Sequence, residues 1–130
     1  MNKVHNTALL VARILMPILF IVAGYGKIGG YTATAGYMTS MGVPSFFLPL
    51  TILLEFGGGL AILFGFLTRT TALITAIFTV LTALLFHTDF AVAINQMMFM
   101  KNLSIAGGFL VLFAAGPGAF SLDRLLKKNW

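Results

Sequence analysis

A single acidic residue, Glu55, lies near the middle of an apolar stretch from Phe46 to Phe66. A carboxylate in such a medium costs several kcal/mol unless it is protonated or paired. Along the membrane normal, Arg13 is expected on one side of Glu55 and Lys101 on the other. Side chains tilt toward the helix N-terminus, so a direct Arg13–Glu55 pair on antiparallel helices needs the arginine's full reach or a bridging water. The pattern predicts either a polar site inside a helix bundle or a structural ion pair.

His87 ends the third apolar stretch, with Asp89 two residues on. Lys27, Lys101 and Asn102 are expected at the same depth. A histidine beside cations and a carboxylate can bind a polar head group or relay protons near neutral pH, and it can equally be only solvated. Histidine and aspartate alone are too few to predict a metal site.

The composition excludes a soluble enzyme. Of the 130 residues, 59% are hydrophobic and only 8% are charged, whereas a soluble domain carries about 25% charged residues. High hydrophobicity also excludes a disordered chain. The net charge of +5 comes mostly from scattered cations, which indicates membrane topology rather than binding to nucleic acid. The absence of cysteine excludes a thiol–disulfide relay.

The apolar stretches predict one all-α domain over residues 1–130, a polytopic membrane protein with four transmembrane helices in a compact bundle. The spans are expected at about 7–28, 46–66, 70–87 and 96–115, and a tail follows over 116–130. Between Gly29 and Ser45, Tyr37, Met38 and Met41 fall at helical spacing. This spacing predicts a short interfacial helix in the first loop.

The distribution of cations predicts the orientation. An even number of spans places both termini on one side of the membrane. That side collects most of the lysines and arginines, and the other side carries only Lys27 and Lys101. The positive-inside rule then predicts that both termini of a multi-pass inner (cytoplasmic) membrane protein are cytoplasmic.

The third span carries a stripe of threonines. Thr71, Thr75, Thr79 and Thr82 fall within about 80° of one another around a helix. Such a stripe can bond to its own backbone inside a packed interface, bond to a neighbouring helix, or line a wet cleft.

The order and spacing of several short segments resemble the DoxX family over nearly the whole chain. The segments are Ala12-Arg13-Ile14-Leu15, Gly24-Tyr25-Gly26-Lys27, Gly42-Val43-Pro44, Leu54-Glu55 with the following glycines, His87, and Lys101-Asn102. The resemblance implies a four-helix bacterial inner-membrane protein. Some relatives are membrane subunits of thiosulfate:quinone oxidoreductase, and others associate with redox or oxidative-stress systems. The candidate ligand-binding residues, matched by position to the family's polar residues, are Arg13, Lys27, Glu55, His87, Lys101 and Asn102.

Three hypotheses for function follow from these residues. The leading one is a redox-associated membrane subunit that binds a quinone, with no covalently bound cofactor and no assigned catalytic residue. Lys101, Asn102 and His87 would hold the head group, while Glu55 and Arg13 would set the electrostatics or pass a proton. The chain has no flavin motif or haem ligand pair, so a soluble redox partner would supply electrons. The alternatives are a non-enzymatic scaffold or assembly factor with structural charges, and a small transporter that would require a second copy.

Overall fold

The computed structural model describes residues 3–130, which fold into helices and no strand. The helices are α1 (Lys3–Gly29), α2 (Tyr31–Ser40), α3 (Ser45–Phe64), α4 (Thr68–Phe86), α5 (Ala93–Ala115) and α6 (Leu122–Leu125). Of these, α1, α3, α4 and α5 are long and apolar enough to cross a membrane. The predicted all-α bundle of four spans is therefore confirmed.

Helix α3 is not a uniform α-helix. It begins with a 3₁₀ turn at Ser45–Phe47, continues as α-helix over Leu48–Ile52, widens into a π-helical turn at Leu53–Gly57, and returns to α-helix over Gly58–Phe64. A π-turn inside a helix is rare and is frequent at functional sites. This one carries Glu55. Gly65 ends the helix in the left-handed conformation, which glycine adopts without a steric penalty.

Helix α2 is the short helix predicted in the first loop. Its Met38 side chain is buried. The ring of Tyr37 stacks on Phe86 at the end of α4, with 5.5 Å between ring centroids. These contacts hold α2 over one end of the bundle.

The four long helices pack mainly as two pairs, α1 with α3 and α4 with α5. Alanines and larger side chains from all four helices meet in the core, where Phe20 and Phe109 pack edge to face at 5.4 Å. Large apolar side chains such as Leu15 and Val111 are 63% and 66% exposed on the outer surface. An apolar exterior of this kind suits lipid rather than water.

Helices α1 and α3 approach closely at two glycines. A Cβ atom at Gly24 would lie 2.7 Å from the backbone nitrogen of Phe56, and one at Gly59 would lie 2.6 Å from Cγ1 of Ile21. Small residues at such crossings let transmembrane helices pack with backbones nearly in contact. The Gly24 crossing lies directly against the π-turn.

Both terminal segments lie at the same end of the bundle. The backbone N–H of Ala119 donates to Oδ1 of Asn6 at 3.1 Å, and the N–H of Thr70 donates to the carbonyl of Trp130 at 3.0 Å. The hydroxyl of Ser121 caps α6 by accepting the N–H of Arg124 at 3.2 Å. This arrangement agrees with an even number of spans, and the side of the membrane on which it lies stays a prediction.

Replacing Gly24 with alanine should lower the free energy of unfolding by about 1–3 kcal/mol, because the new methyl group would overlap the backbone at Phe56. Gly26→Ala is the matched control, since no atom lies within 4 Å of its added Cβ. The control should be neutral or more stable by up to about 1 kcal/mol. Thermal unfolding in detergent, followed by circular dichroism, checks both variants. Equal midpoints would contradict the close crossing.

Candidate functional site

A cavity of about 690 Å³ lies among α1 to α5, at the end of the bundle away from the termini. Its walls are mainly apolar, with polar groups at a few points, and its volume falls within the range of about 300–1,000 Å³ usual for small-molecule sites. Five of the six candidate ligand-binding residues line it: Lys27, Glu55, His87, Lys101 and Asn102.

The carboxylate of Glu55 is paired with Lys27. Nζ of Lys27 lies 2.6 Å from Oε1 of Glu55, and the two side chains are 27% and 9% exposed. The π-turn of α3 presents Glu55, and Lys27 lies about one turn beyond Gly24 on α1, where the two helices nearly touch. Within residues 3–130 this is the only ion pair. The sequence placed Lys27 at the outer level without identifying it as the partner of Glu55.

Lys101 lines the same cavity without a partner. It lies in the third turn of α5 and is half-buried. Its ammonium group forms no hydrogen bond or ion pair with any residue in the described part of the chain. Since Lys27 and Glu55 neutralise each other, Lys101 gives the cavity a net positive charge. An acceptor group on a bound molecule would satisfy this cation.

Asn102 joins α5 to α4. Its Nδ2 donates to the carbonyl of Thr79 at 3.3 Å and to Oγ1 of Thr82 at 3.2 Å. The hydroxyls of these threonines donate to backbone carbonyls of their own helix, Thr79 to Thr75 at 2.7 Å and Thr82 to Thr79 at 2.9 Å. Thr79 and Thr82, two of the four threonines in the stripe, therefore bond to their own backbone and also line one wall of the cavity, whereas the buried hydroxyl of Thr75 has no partner among the described residues. Both acceptors hold Nδ2 of Asn102 against α4, and its Oδ1, which has no hydrogen-bond partner among the described residues, is the group left for a ligand.

His87 follows the last residue of α4, and its ring lies at the cavity wall. Nδ1 is 3.5 Å from Oδ1 of Asn95, whose amide group donates to the carbonyl of Asp89 at 3.1 Å. The carboxylate of Asp89 accepts the N–H of Ala91 at 3.2 Å. Asn95 therefore orients the imidazole and leaves Nε2 as the ring nitrogen for a bound group.

Arg13 does not line this cavity and does not pair with Glu55. It is fully buried at the end of the bundle that carries the termini. Nη1 donates to the carbonyls of Ile62 and Leu63 at 3.4 and 3.2 Å, and Nη2 donates to that of Phe120. The first two carbonyls belong to the last turn of α3, where the helix dipole is negative. Arg13 thus leans away from Glu55, as expected for antiparallel helices. Backbone carbonyls accept from its two terminal nitrogens, whereas its buried Nε has no partner among the described residues.

Asp123 is a buried carboxylate whose role the sequence did not indicate. Its Oδ1 accepts the N–H of Leu67 at 2.8 Å and Nε1 of Trp130 at 2.7 Å, and Oδ2 accepts the N–H of Thr68 at 2.9 Å. These bonds satisfy the first backbone donors of α4, which has no capping side chain of its own. The sequence carried no signal for this contact because the partners are distant along the chain.

The described residues place no group of three or more His, Asp or Glu side chains where it could hold a metal ion. The fold and the cavity instead define a small four-span helical membrane protein with an amphiphilic pocket inside the bundle. The DoxX family model matches residues 8–88. The chain belongs to the DoxX family.

Three relatives illustrate its similarity to other proteins. The chain is 69% identical over 130 residues to "Inner membrane protein YqjF" of Escherichia coli K12, covering 100% of both chains. It is 41% identical over 123 residues to "Inner membrane protein YphA" of the same organism, covering 89% of this chain and 88% of the relative. It is 32% identical over 77 residues to "Putative oxidoreductase CatD" of Bacillus subtilis 168, covering 59% and 58%. No solved structure matches the chain. The first two names agree with the predicted inner-membrane location.

Replacing Arg13 with methionine should lower the free energy of unfolding by about 3 kcal/mol, because it leaves buried carbonyls and the nearby Asp123 without their cation. Lys3→Gln, at an exposed position of the same helix, should change it by less than about 0.5 kcal/mol. Chemical unfolding in detergent micelles measures both. Comparable stability of the two variants would show that the Arg13 contacts are not structural.

Replacing Lys27 alone with methionine should lower the free energy of unfolding more than replacing both members of its ion pair. The single change leaves Glu55 uncompensated in an apolar site and should cost about 3 kcal/mol. The Lys27→Met/Glu55→Met double variant should recover most of that loss. Unfolding free energies of the four proteins in the cycle test this. A double variant that loses the sum of both single effects would exclude direct coupling.

Proposed function

We propose that this protein is a redox-associated inner-membrane subunit that binds a quinone, or a similar lipophilic molecule with acceptor oxygens, in the cavity of α1 to α5. The observation that supports it best is the unpartnered ammonium group of Lys101 at the wall of an otherwise mainly apolar cavity. A flat apolar ring with carbonyl oxygens suits such a lining, because the ring is buried against hydrocarbon and the oxygens need donors.

The polar groups available to a bound ring differ in kind. Lys101 offers a charged donor. Nε2 of His87 is an acceptor in the neutral imidazole, because Nδ1 faces the acceptor Oδ1 of Asn95 and therefore carries the proton. Asn102 already donates to Thr79 and Thr82, so it positions α5 against α4 rather than donating to the head group. The Lys27–Glu55 pair is the second charged element of the wall and could hold or pass a proton.

A bound quinone would supply a two-electron, two-proton acceptor. The chain lacks cysteine and a flavin motif, so the proposal includes a partner oxidoreductase subunit that delivers the electrons. The name of the relative CatD gives coarse support for a redox role. The alignment with CatD covers only 59% of the present chain. The binding residues of this chain would then orient the ring, exclude water and provide the proton path.

A scaffold or assembly factor is the second candidate, and the Arg13 contacts favour it. Arg13 bonds only to backbone carbonyls, which is a structural use of a buried charge. Under this alternative the Lys27–Glu55 pair would also serve only to fix α1 against α3, and the cavity would hold lipid chains.

Binding of decylubiquinone to the purified protein separates the two candidates. Lys101→Ala should weaken binding about tenfold or more, because a hydrogen bond from a charged donor contributes about 1.5–3 kcal/mol to the binding free energy. Glu55→Gln, which removes the carboxylate charge, keeps the shape of the side chain and leaves Lys27 uncompensated, should also weaken binding. Lys127→Ala removes a lysine outside the cavity and is the control. Isothermal titration in detergent, with unfolding midpoints recorded for each variant, gives the affinities.

Two results would contradict quinone binding: no affinity in the parent protein, or equal affinity in the parent, Lys101→Ala and Glu55→Gln. Either result, combined with lower unfolding midpoints for the Glu55 variant, would favour the scaffold.

A further inference from the structure

A second, smaller cavity lies at the opposite end of the bundle, beside the termini. Its volume is about 160 Å³, and it is bounded by the start of α1, the start of α4, the connection from α5 to α6, and the tail. Three cations line it: Arg69, Arg124 and Lys128. Asn6 and Asn129 are its uncharged polar residues. It shares no residue with the larger cavity.

No carboxylate neutralises these three cations. None lines the cavity, and none of the three forms an ion pair within the described residues 3–130. Asp123 lies close by along the chain, but both of its oxygens already accept hydrogen bonds from Leu67, Thr68 and Trp130. The cavity therefore carries three positive charges with no internal counterion.

Arg69 is held in place although it lacks a hydrogen-bond partner. Its Nε is buried and bonds to no protein atom among the described residues. The guanidinium packs against Gly116, where an added Cβ would lie 2.9 Å from Nη2, and Gly116 has a φ of 79° that favours glycine. A buried N–H without a partner is costly, and an acceptor oxygen on a bound group would remove that cost.

We propose that this cavity binds a phosphate group, carried either by the head group of an anionic phospholipid or by free phosphate. The planar fork of an arginine matches two phosphate oxygens, and a lysine adds a point charge. The position at the end of the bundle, next to the exposed side chains of Leu122 and Leu125, places the cations at the depth where lipid head groups lie. This site goes beyond the proposed quinone cavity and does not depend on it.

Native mass spectrometry of the purified protein, with equal amounts of phosphatidylglycerol and phosphatidylcholine of the same acyl chains, tests the lipid source. The parent protein should retain phosphatidylglycerol preferentially. Arg69→Gln and Arg124→Gln should each reduce the retained phosphatidylglycerol about fivefold, the effect expected of one basic residue at an anionic surface. Lys127→Gln removes the same charge from the tail outside the cavity and should retain the lipid as the parent does.

A second arm tests free phosphate by unfolding the protein with sodium phosphate or with sodium chloride at equal ionic strength. Stabilisation by phosphate in the parent, lost in Arg69→Gln, would support the site with free phosphate as its source. If Arg69→Gln does not fold, the same measurement on Arg124→Gln tests the site. The Arg124 side chain is exposed, so its replacement should leave the fold intact. Loss of lipid in Lys127→Gln equal to that in Arg124→Gln would overturn the proposal. So would a parent protein that distinguishes neither the lipids nor the salts.

Discussion

The pairing of Lys27 with Glu55 is the constraint on which the larger cavity depends. An uncompensated carboxylate is barely tolerable inside a bundle surrounded by hydrocarbon, so α1 must stay close enough to α3 for its lysine to reach. Gly24 allows that approach, and the π-turn presents the carboxylate to it. Because the pair cancels its own charge, the unpartnered Lys101 decides the polarity of the cavity.

The two ends of the bundle use their charges differently. At the end with the termini, Arg13 and Asp123 are almost completely buried and bond mainly to backbone groups, so they fasten helix ends together. At the other end, Lys101 has an unpartnered ammonium group and His87 an unpartnered Nε2 at the cavity wall. Charges that bond to backbone have most of their partners within the protein, whereas Lys101 at the cavity wall is available to a small molecule.

The sequence predicted the architecture because its signals are local. Long apolar runs set the four spans, and glycine and proline around residues 29–45 set the short α2 between the first two. Depth along each helix also grouped Lys27, His87, Lys101 and Asn102 correctly at one level. Partners were harder to predict: the π-turn changes the direction of Glu55 relative to an ideal helix, and Asp123 finds donors that lie far away in the sequence.

The contact of Asp123 with the start of α4 has a consequence for biogenesis. The N–H groups of Leu67, Thr68 and Thr70 at this turn donate to Asp123 and Trp130, which are translated at least 55 residues later. Until then the exposed N–H groups at Leu67 and Thr68 must be solvated by water at the membrane surface. Insertion of the α3–α4 hairpin into the bilayer can therefore precede completion of its turn, which is locked only after Asp123 and Trp130 have followed it.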